Sequence, residues 1–410
     1  MVDEFGIAKL LMKYVIEKNN YEGIIPQGLK DKLDKELNEI TKDYSVEGKR
    51  LIETCAKANN SYDYFHSFIA LLKEIKETKE ILILSNTIGY FYFMLYNEFK
   101  SAEFLLLAEY AYKDIYKFLN DYELEKKERI HKGLILHQLG WIYRKKNNVE
   151  KLKQYTLFAF IEDIVSEIEK KISTCYMGKA YLVLKTEFFS QEKLDEIVSF
   201  VRKNYDSLKD FIYFPESFIY FYSKEKNKFS FLNSFNKNLL NIFSNWIKNS
   251  KDNNEKGLRF EDCCTYLLST LDQINVIKNI NVGPSDNILK EYQIDIAFRN
   301  NLIYPFKNLF GEYVLCECKN TTEKVNSSQL NHFLTKLIFH NCKFGIIFSV
   351  EGTTGDLGKI CKLTKIKAFH HVNISIIEIL KKELDNINSP EELLDIIIEK
   401  YEKIRFDSLE

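Results

Sequence analysis

From the N-terminus to about residue 250, apolar positions recur at intervals of three and four. Leu10, Leu11, Tyr14 and Val15 form one such set, and Leu51, Ile52 and Cys55 another. This is the period of helices with one buried face. A further helix is expected around Phe229 to Ile247. The run from Lys248 to Lys256 that follows has no apolar residue and reads as a linker. Beyond it the texture changes. Leu258 to Leu271 keeps helical spacing, and then short apolar runs appear at Ile274 to Ile280, Tyr292 to Phe298 and Tyr313 to Lys319. A helix is expected from Ser327 to Phe339, a buried strand from Phe344 to Val350, a helix from Gly358 to Ala368 and a strand or strand-helix junction from Val372 to Ile379. The last helix should run from Pro390 to Phe406, with Ser389 as its N-cap and Glu391 and Glu392 in its first turn.

The pattern predicts a multidomain chain. Residues 1–250 would be an all-α, repeat-like region, residues 257–380 an α/β domain with a central mixed sheet, and residues 381–410 a C-terminal helix. Within the helical region a spacing recurs. Gly89 is followed by Tyr92 and Ala108, and Gly140 by Tyr143 and Ala159; Gly178 and Tyr181 repeat the first half, with Ile197 in the alanine position. A glycine that admits a second helix, a tyrosine one turn on and a small residue on the returning helix describe a helical hairpin. Asn97 and the pair Asn147 and Asn148 are expected at the turns. The arrangement resembles the tetratricopeptide repeat, although the units stand at irregular intervals. A plain bundle with incidental glycines fits the same residues. Either form provides a platform for a protein or signal-molecule partner.

Composition narrows the function classes. The formal net charge is -1, so no global positive field draws the chain to nucleic acid, and any such contact needs a local patch. Only five prolines interrupt 410 residues, in keeping with long helices. No signal peptide is evident at the N-terminus. The eight cysteines form no C-x-x-C pair, so a reduced, cytoplasmic setting is expected. Ile81 to Tyr96 is short for a membrane span and reads as a buried helix.

The chemistry concentrates in two of the short runs. Strand periodicity sets Asp295 on one face of Tyr292 to Phe298, flanked in sequence by Ile294 and Ile296. A carboxylate in mid-strand is disfavoured and costly to bury alone. In Val314 to Lys319 the same period places Glu317 and Lys319 side by side, with Cys316 and Cys318 opposite. Two neighbouring strands would gather two carboxylates and an amine. That set suits Mg²⁺, which takes one or two carboxylates and keeps several waters.

Asp295 followed by Glu317-Cys318-Lys319 resembles the D…(D/E)-x-K signature of the PD-(D/E)XK nuclease superfamily. Gly257-Leu258-Arg259-Phe260-Glu261 resembles the Gly-x-x-Phe-Glu opening of the first core helix in its Mrr-like branch. Ile294 stands where the family places a proline, and Glu317 where that branch often has glutamine. The resemblance implies a restriction-endonuclease-like fold. It also implies catalytic roles for Asp295, Glu317, Lys319, Glu261 and Gln329. Metal ligation by Asp295, Glu317, the Cys318 carbonyl and Glu261, the last through water, would follow, with Mg²⁺ as cofactor and Mn²⁺ as substitute. The implied activity is DNA phosphodiester hydrolysis in restriction or anti-phage defence, gated by the helical region and performed by a homodimer or larger assembly. An RNA-cleaving nuclease and a non-catalytic nucleic-acid-binding scaffold are the alternatives.

Bland readings stand beside each signal. Glu-x-Lys by itself is as well explained by an ion pair on a solvated strand face. Glu261 fits a solvent-facing helix residue and Gln329 a polar first turn. Lys359, Lys362, Lys365 and Lys367 form a local basic run, suited to a phosphate backbone or to a solvated helix face. Gly352 to Gly355 is expected to be a turn.

Overall fold

The computed structural model describes residues 4–20, 25–57, 68, 70–72, 74–76, 78–170, 174–225, 235–271, 274–282, 292–301, 306–320, 324–352 and 358–407. The chain divides into two compact units, Met1–Ser207 and Leu208–Glu410.

The first unit is helical. Its helices include α1 (Glu4–Asn20), α2 (Gln27–Ile40), α3 (Val46–Lys57), α4 (Thr78–Phe99), α5 (Ala102–Lys126), α6 (Gly133–Lys145), α7 (Val149–Ile168), α8 (Lys179–Glu187) and α9 (Gln191–Asn204). The pairs α4–α5 and α6–α7 are hairpins. A Cβ on Gly89 would sit 2.2 Å from the Tyr112 ring, so only glycine lets α5 approach there. Gly140 plays the same part against Thr156 Oγ1, at 2.9 Å. Gly178 does not: it stands in extended conformation as the N-cap of α8. Asn147 turns the second hairpin at φ 56°, and the Asn148 side chain caps α7 by accepting the Lys151 N–H. In the first hairpin the turn falls at Lys100 (φ 53°) and the cap at Ser101, while Asn97 lies inside α4.

Buried charge ties the hairpins together. Arg129 reaches Glu162 at 2.9 Å and Glu169 at 3.4 Å, and Lys132 pairs with Glu123 in full burial. Glu109 accepts from Tyr143 Oη at 2.6 Å and also holds Lys113 and Lys146. Such groups are costly to bury singly and stable only as a satisfied set.

In the second unit come α10 (Pro215–Glu225), α11 (Lys237–Lys248), α12 (Asn253–Ser269), β1 (Ile274–Val282), β2 (Tyr292–Asn300), α13 (Phe306–Phe310), β3 (Tyr313–Lys319), α14 (Ser327–Phe339), β4 (Phe344–Ser349), α15 (Gly358–Val372), β5 (Ser375–Leu380), α16 (Lys381–Leu384) and α17 (Pro390–Asp407). The strands form one mixed sheet in the order β1-β2-β3-β4-β5, antiparallel across β1–β2–β3 and parallel across β3–β4–β5. Leu330, Phe333 and Leu337 of α14 bury one face against Leu315, Ile347 and Ile376. On the other side, Tyr401 of α17 packs on Phe310 and Phe344. Alternation of apolar side chains along β3 to β5 supplies both faces, as a covered parallel edge requires.

The boundary differs from the sequence expectation. Helices α10 and α11 belong to the second unit, where Tyr220 and Phe243 both pack on Tyr266 of α12. The Lys237 ammonium also donates to the Asp385 and Ile387 carbonyls, at 2.7 and 2.6 Å. The polar run expected as a linker ends α11 and starts α12, which Asp252 caps by accepting the Glu255 N–H. The terminal helix packs on the sheet and is part of the same unit. Phe229 and residues 353–355 lie outside the described residues; Gly352 adopts φ 76°. Among the described residues no helix is long and apolar enough to cross a membrane, and all eight cysteines are free thiols.

Glu109 gives the first unit a pH signature. Desolvation alone would raise its pKa, but hydrogen bonds from Lys113, Lys146 and Tyr143 outweigh that and pull it from 4.5 to about 2. A carboxylate depressed in the folded state contributes stability above its unfolded pKa, and that contribution disappears as pH falls through about 2. Thermal unfolding of Glu109→Gln at pH 7 should therefore show a loss of roughly 1–3 kcal/mol. The difference from wild type should shrink between pH 4.5 and 2; a difference independent of pH would contradict it.

Candidate active site

The β2–β3 ladder supplies the first half of the site. Its last register pair on this side is Ile296 with Cys316, and one step further the pairing sets Asp295 opposite Glu317. There the ladder gives way. Asp295 Oδ2 accepts the Cys318 backbone N–H at 2.8 Å, taking the place of a backbone carbonyl. An amide released from a sheet needs a partner, and the carboxylate provides a charge-assisted one. N–H and C=O of one strand residue project to the same side, so the Cys318 carbonyl is directed to the same edge of β3 as Asp295.

Glu317 is the centre of charge. Its Oε1 receives the Lys319 ammonium at 2.7 Å and its Oε2 the Lys336 ammonium at 2.8 Å. Exposure of the Glu317, Lys319 and Lys336 side chains is 9%, 26% and 5%, so the triad is screened from water to different degrees. The two carboxyls split in opposite directions. Burial, then the neighbouring Glu317 charge, push Asp295 upward against the Cys318 N–H and both lysines. Burial also acts to raise Glu317, but Lys319 and Lys336 outweigh it and hold it low. Desolvation acts to lower Lys319, and the Glu317 charge prevails and raises it. Two acidic groups whose environments drive them apart mark a functional candidate.

Lys336 had no role in the sequence reading. It lies on α14, whose apolar residues Leu330, Phe333 and Leu337 face the sheet. A lysine adjoining that buried stripe is the signal that was there to be read. Close approach of α14 is what lets it reach. Gly345 of β4 sits beneath the helix, where a Cβ would come within 2.7 Å of Leu337 Cδ1 and 2.8 Å of the Phe333 ring.

Other expected members lie on helices rather than on the β2–β3 ladder. Gln329 closes a capping box: its Oε1 accepts the Asn326 N–H at 3.0 Å, and its own N–H donates to Asn326 Oδ1. Glu261 is half-buried on α12, where its charge acts on the Cys264 and Cys318 thiols. Leu315, Glu317 and Lys319 alternate away from Cys318 toward α14. Of the basic run, Lys365 is only 14% exposed and pairs with Glu378 at 3.5 Å, while Lys362 and Lys367 are exposed. Lys359 stands in the first turn of α15.

Glu378 extends the polar row across the sheet. It also accepts from Ser349 Oγ at 2.9 Å, and Ser349 is in register with Lys319. Its sequence signal equals that of Asp295: a carboxylate between Ile377 and Ile379 in an apolar strand.

Among the described residues no three His, Cys, Asp or Glu side chains converge as a metal site. Asp295, Glu317 and the Cys318 carbonyl are nonetheless all hard oxygen donors, and two carboxylates suffice for an ion that retains water. Oxygen donors of this kind are the ones Mg²⁺ takes, although both Glu317 oxygens are paired with lysines here. No family model, curated protein or solved structure matches this chain.

The glycine under α14 can be tested directly. Gly345→Ala should destabilise the protein by about 1–3 kcal/mol through overpacking, read as a lower denaturant midpoint. An unchanged midpoint would show that α14 is not pressed on β4.

Proposed function

We propose that the second unit is a Mg²⁺-dependent nuclease of the PD-(D/E)XK type, cutting DNA in restriction or defence against foreign DNA. The observation that carries this reading is the bond from the Cys318 N–H to Asp295 beside the Lys319–Glu317–Lys336 triad. It draws together Asp295, Glu317 and Lys319 at one end of the sheet. The order helix, three antiparallel strands, helix, parallel strand is further support for a restriction-endonuclease-like fold.

Asp295, Glu317 and the Cys318 carbonyl would hold the cation. Its chemistry there would be Lewis-acid polarisation of a phosphate oxygen and a lowered pKa for water. Lys319, the more exposed of the two lysines, can leave Glu317 to orient the attacking water and neutralise charge growing on the phosphate. Lys362 and Lys367 are suited to a flanking phosphate backbone. The helical unit would bind a protein or signal that gates cleavage, and a dimer would cut both strands of a duplex.

The doubly clamped Glu317 also favours a second reading, a nucleic-acid-binding scaffold in which the triad is structural. Plasmid nicking with Mg²⁺ separates the two. Asp295→Asn and Lys319→Ala should each slow cleavage by about 10²–10⁴-fold, with EDTA abolishing it. Cleavage by Asp295→Asn at the wild-type rate would remove the nuclease reading. Parallel incubation with RNA decides the substrate polymer.

A further inference from the structure

Glu317 would be an unusual metal ligand, because both of its oxygens already carry a cation. Lys319 and Lys336 contact different oxygens, at 2.7 and 2.8 Å, and the two ammonium groups differ in freedom. At 26% exposure Lys319 has water to move into, and its departure frees Oε1. At 5% exposure Lys336 has none. Its neighbours on α14, Phe333 and Leu337, are pinned against β4 over Gly345, so the stem of Lys336 is anchored by packing.

We propose that Lys336 is a built-in cation that competes with a divalent metal for Glu317 and so holds the metal affinity of the site low. The proposal rests on the nuclease reading for its biological sense, but its physics needs only that a divalent ion reach Asp295 and Glu317. A positive charge beside a carboxylate repels a second cation approaching the same group, and the repulsion is strongest where water is excluded. The ion triad satisfies Glu317 without metal, which keeps the metal-free fold intact and leaves the metal-loaded one comparatively disfavoured.

The sign of the effect sets this apart from an ordinary supporting role. Removing a group that merely orients a metal ligand weakens metal binding by about 10–100-fold. Removing a competitor strengthens it. Mn²⁺ binding to the full-length protein, followed by electron paramagnetic resonance, should be at least about tenfold tighter in Lys336→Met and Lys336→Gln than in wild type. Lys336→Arg, which keeps the charge, should stay near wild type. Unchanged or weaker binding in both neutral variants overturns the proposal. Should the neutral variants fail to fold without metal, Mn²⁺ must restore the fold by replacing the missing charge, and failure of that rescue overturns it equally. The nuclease reading is judged separately, by plasmid cleavage in the same samples. Tighter Mn²⁺ binding without any cleavage by wild type leaves competition standing and removes the nuclease. Cleavage that depends on Asp295, with no gain in affinity, does the reverse.

Discussion

The second unit is organised around one buried charge, the Glu317 carboxylate. In a low-dielectric setting an isolated carboxylate would protonate or pull in water. Here Lys319 on the same strand and Lys336 on the helix above neutralise it from two sides. One partner comes from strand periodicity and is almost free of charge in chain entropy. The other depends on α14 lying close to the sheet, and therefore on Gly345. Loss of either lysine leaves the remaining pair in place, whereas loss of Glu317 strands two ammonium groups, one of them deeply buried.

The sheet explains why the site is where it is. Strand β3 pairs antiparallel with β2 and parallel with β4, so it stands where the sheet changes sense. On the parallel side the ladder runs through to Lys319 and Ser349. On the antiparallel side its register ends at Ile296 and Cys316, and the side chain of Asp295 takes up the freed Cys318 amide. An opening in the hydrogen-bonded ladder, closed by a carboxylate, puts polar groups at a depth that side chains alone seldom reach.

The first unit meets the same electrostatic problem and solves it without an opening. Arg129, Glu162, Glu169, Lys132 and Glu123 close on one another inside the helical stack. Every charge there has a partner on another element or another turn. The set fixes how the hairpins pack, which hydrophobic contacts alone would leave less specific.

Much of this was legible in the sequence, and the reason is range. Asp295 and Glu317-Cys318-Lys319 stand out because a strand has period two, so a charge among apolar neighbours declares itself within a few residues. The bounds of β3 and α14 follow from equally local patterns, as do the Asn148 cap and the turn at Asn147. The glycines of the hairpins were visible, but the side chains that fill the space above them were not. Gln329 resembles a catalytic glutamine by its distance from Lys319, and its bonds to the cap residue Asn326 are equally local. Lys336 and Glu378 carried local signals too, and their meaning was hidden because their partners lie on other elements, 19 residues away for Lys336 and 29 for Ser349. The boundary between the units, the burial of Lys365 and the assignment of α10 and α11 were likewise tertiary outcomes. Sequence determined which residues carry charge and on which face of their own element. Only the packed structure decided which charges meet, because that depends on how closely helix and sheet approach, and a single missing Cβ at Gly345 sets that distance.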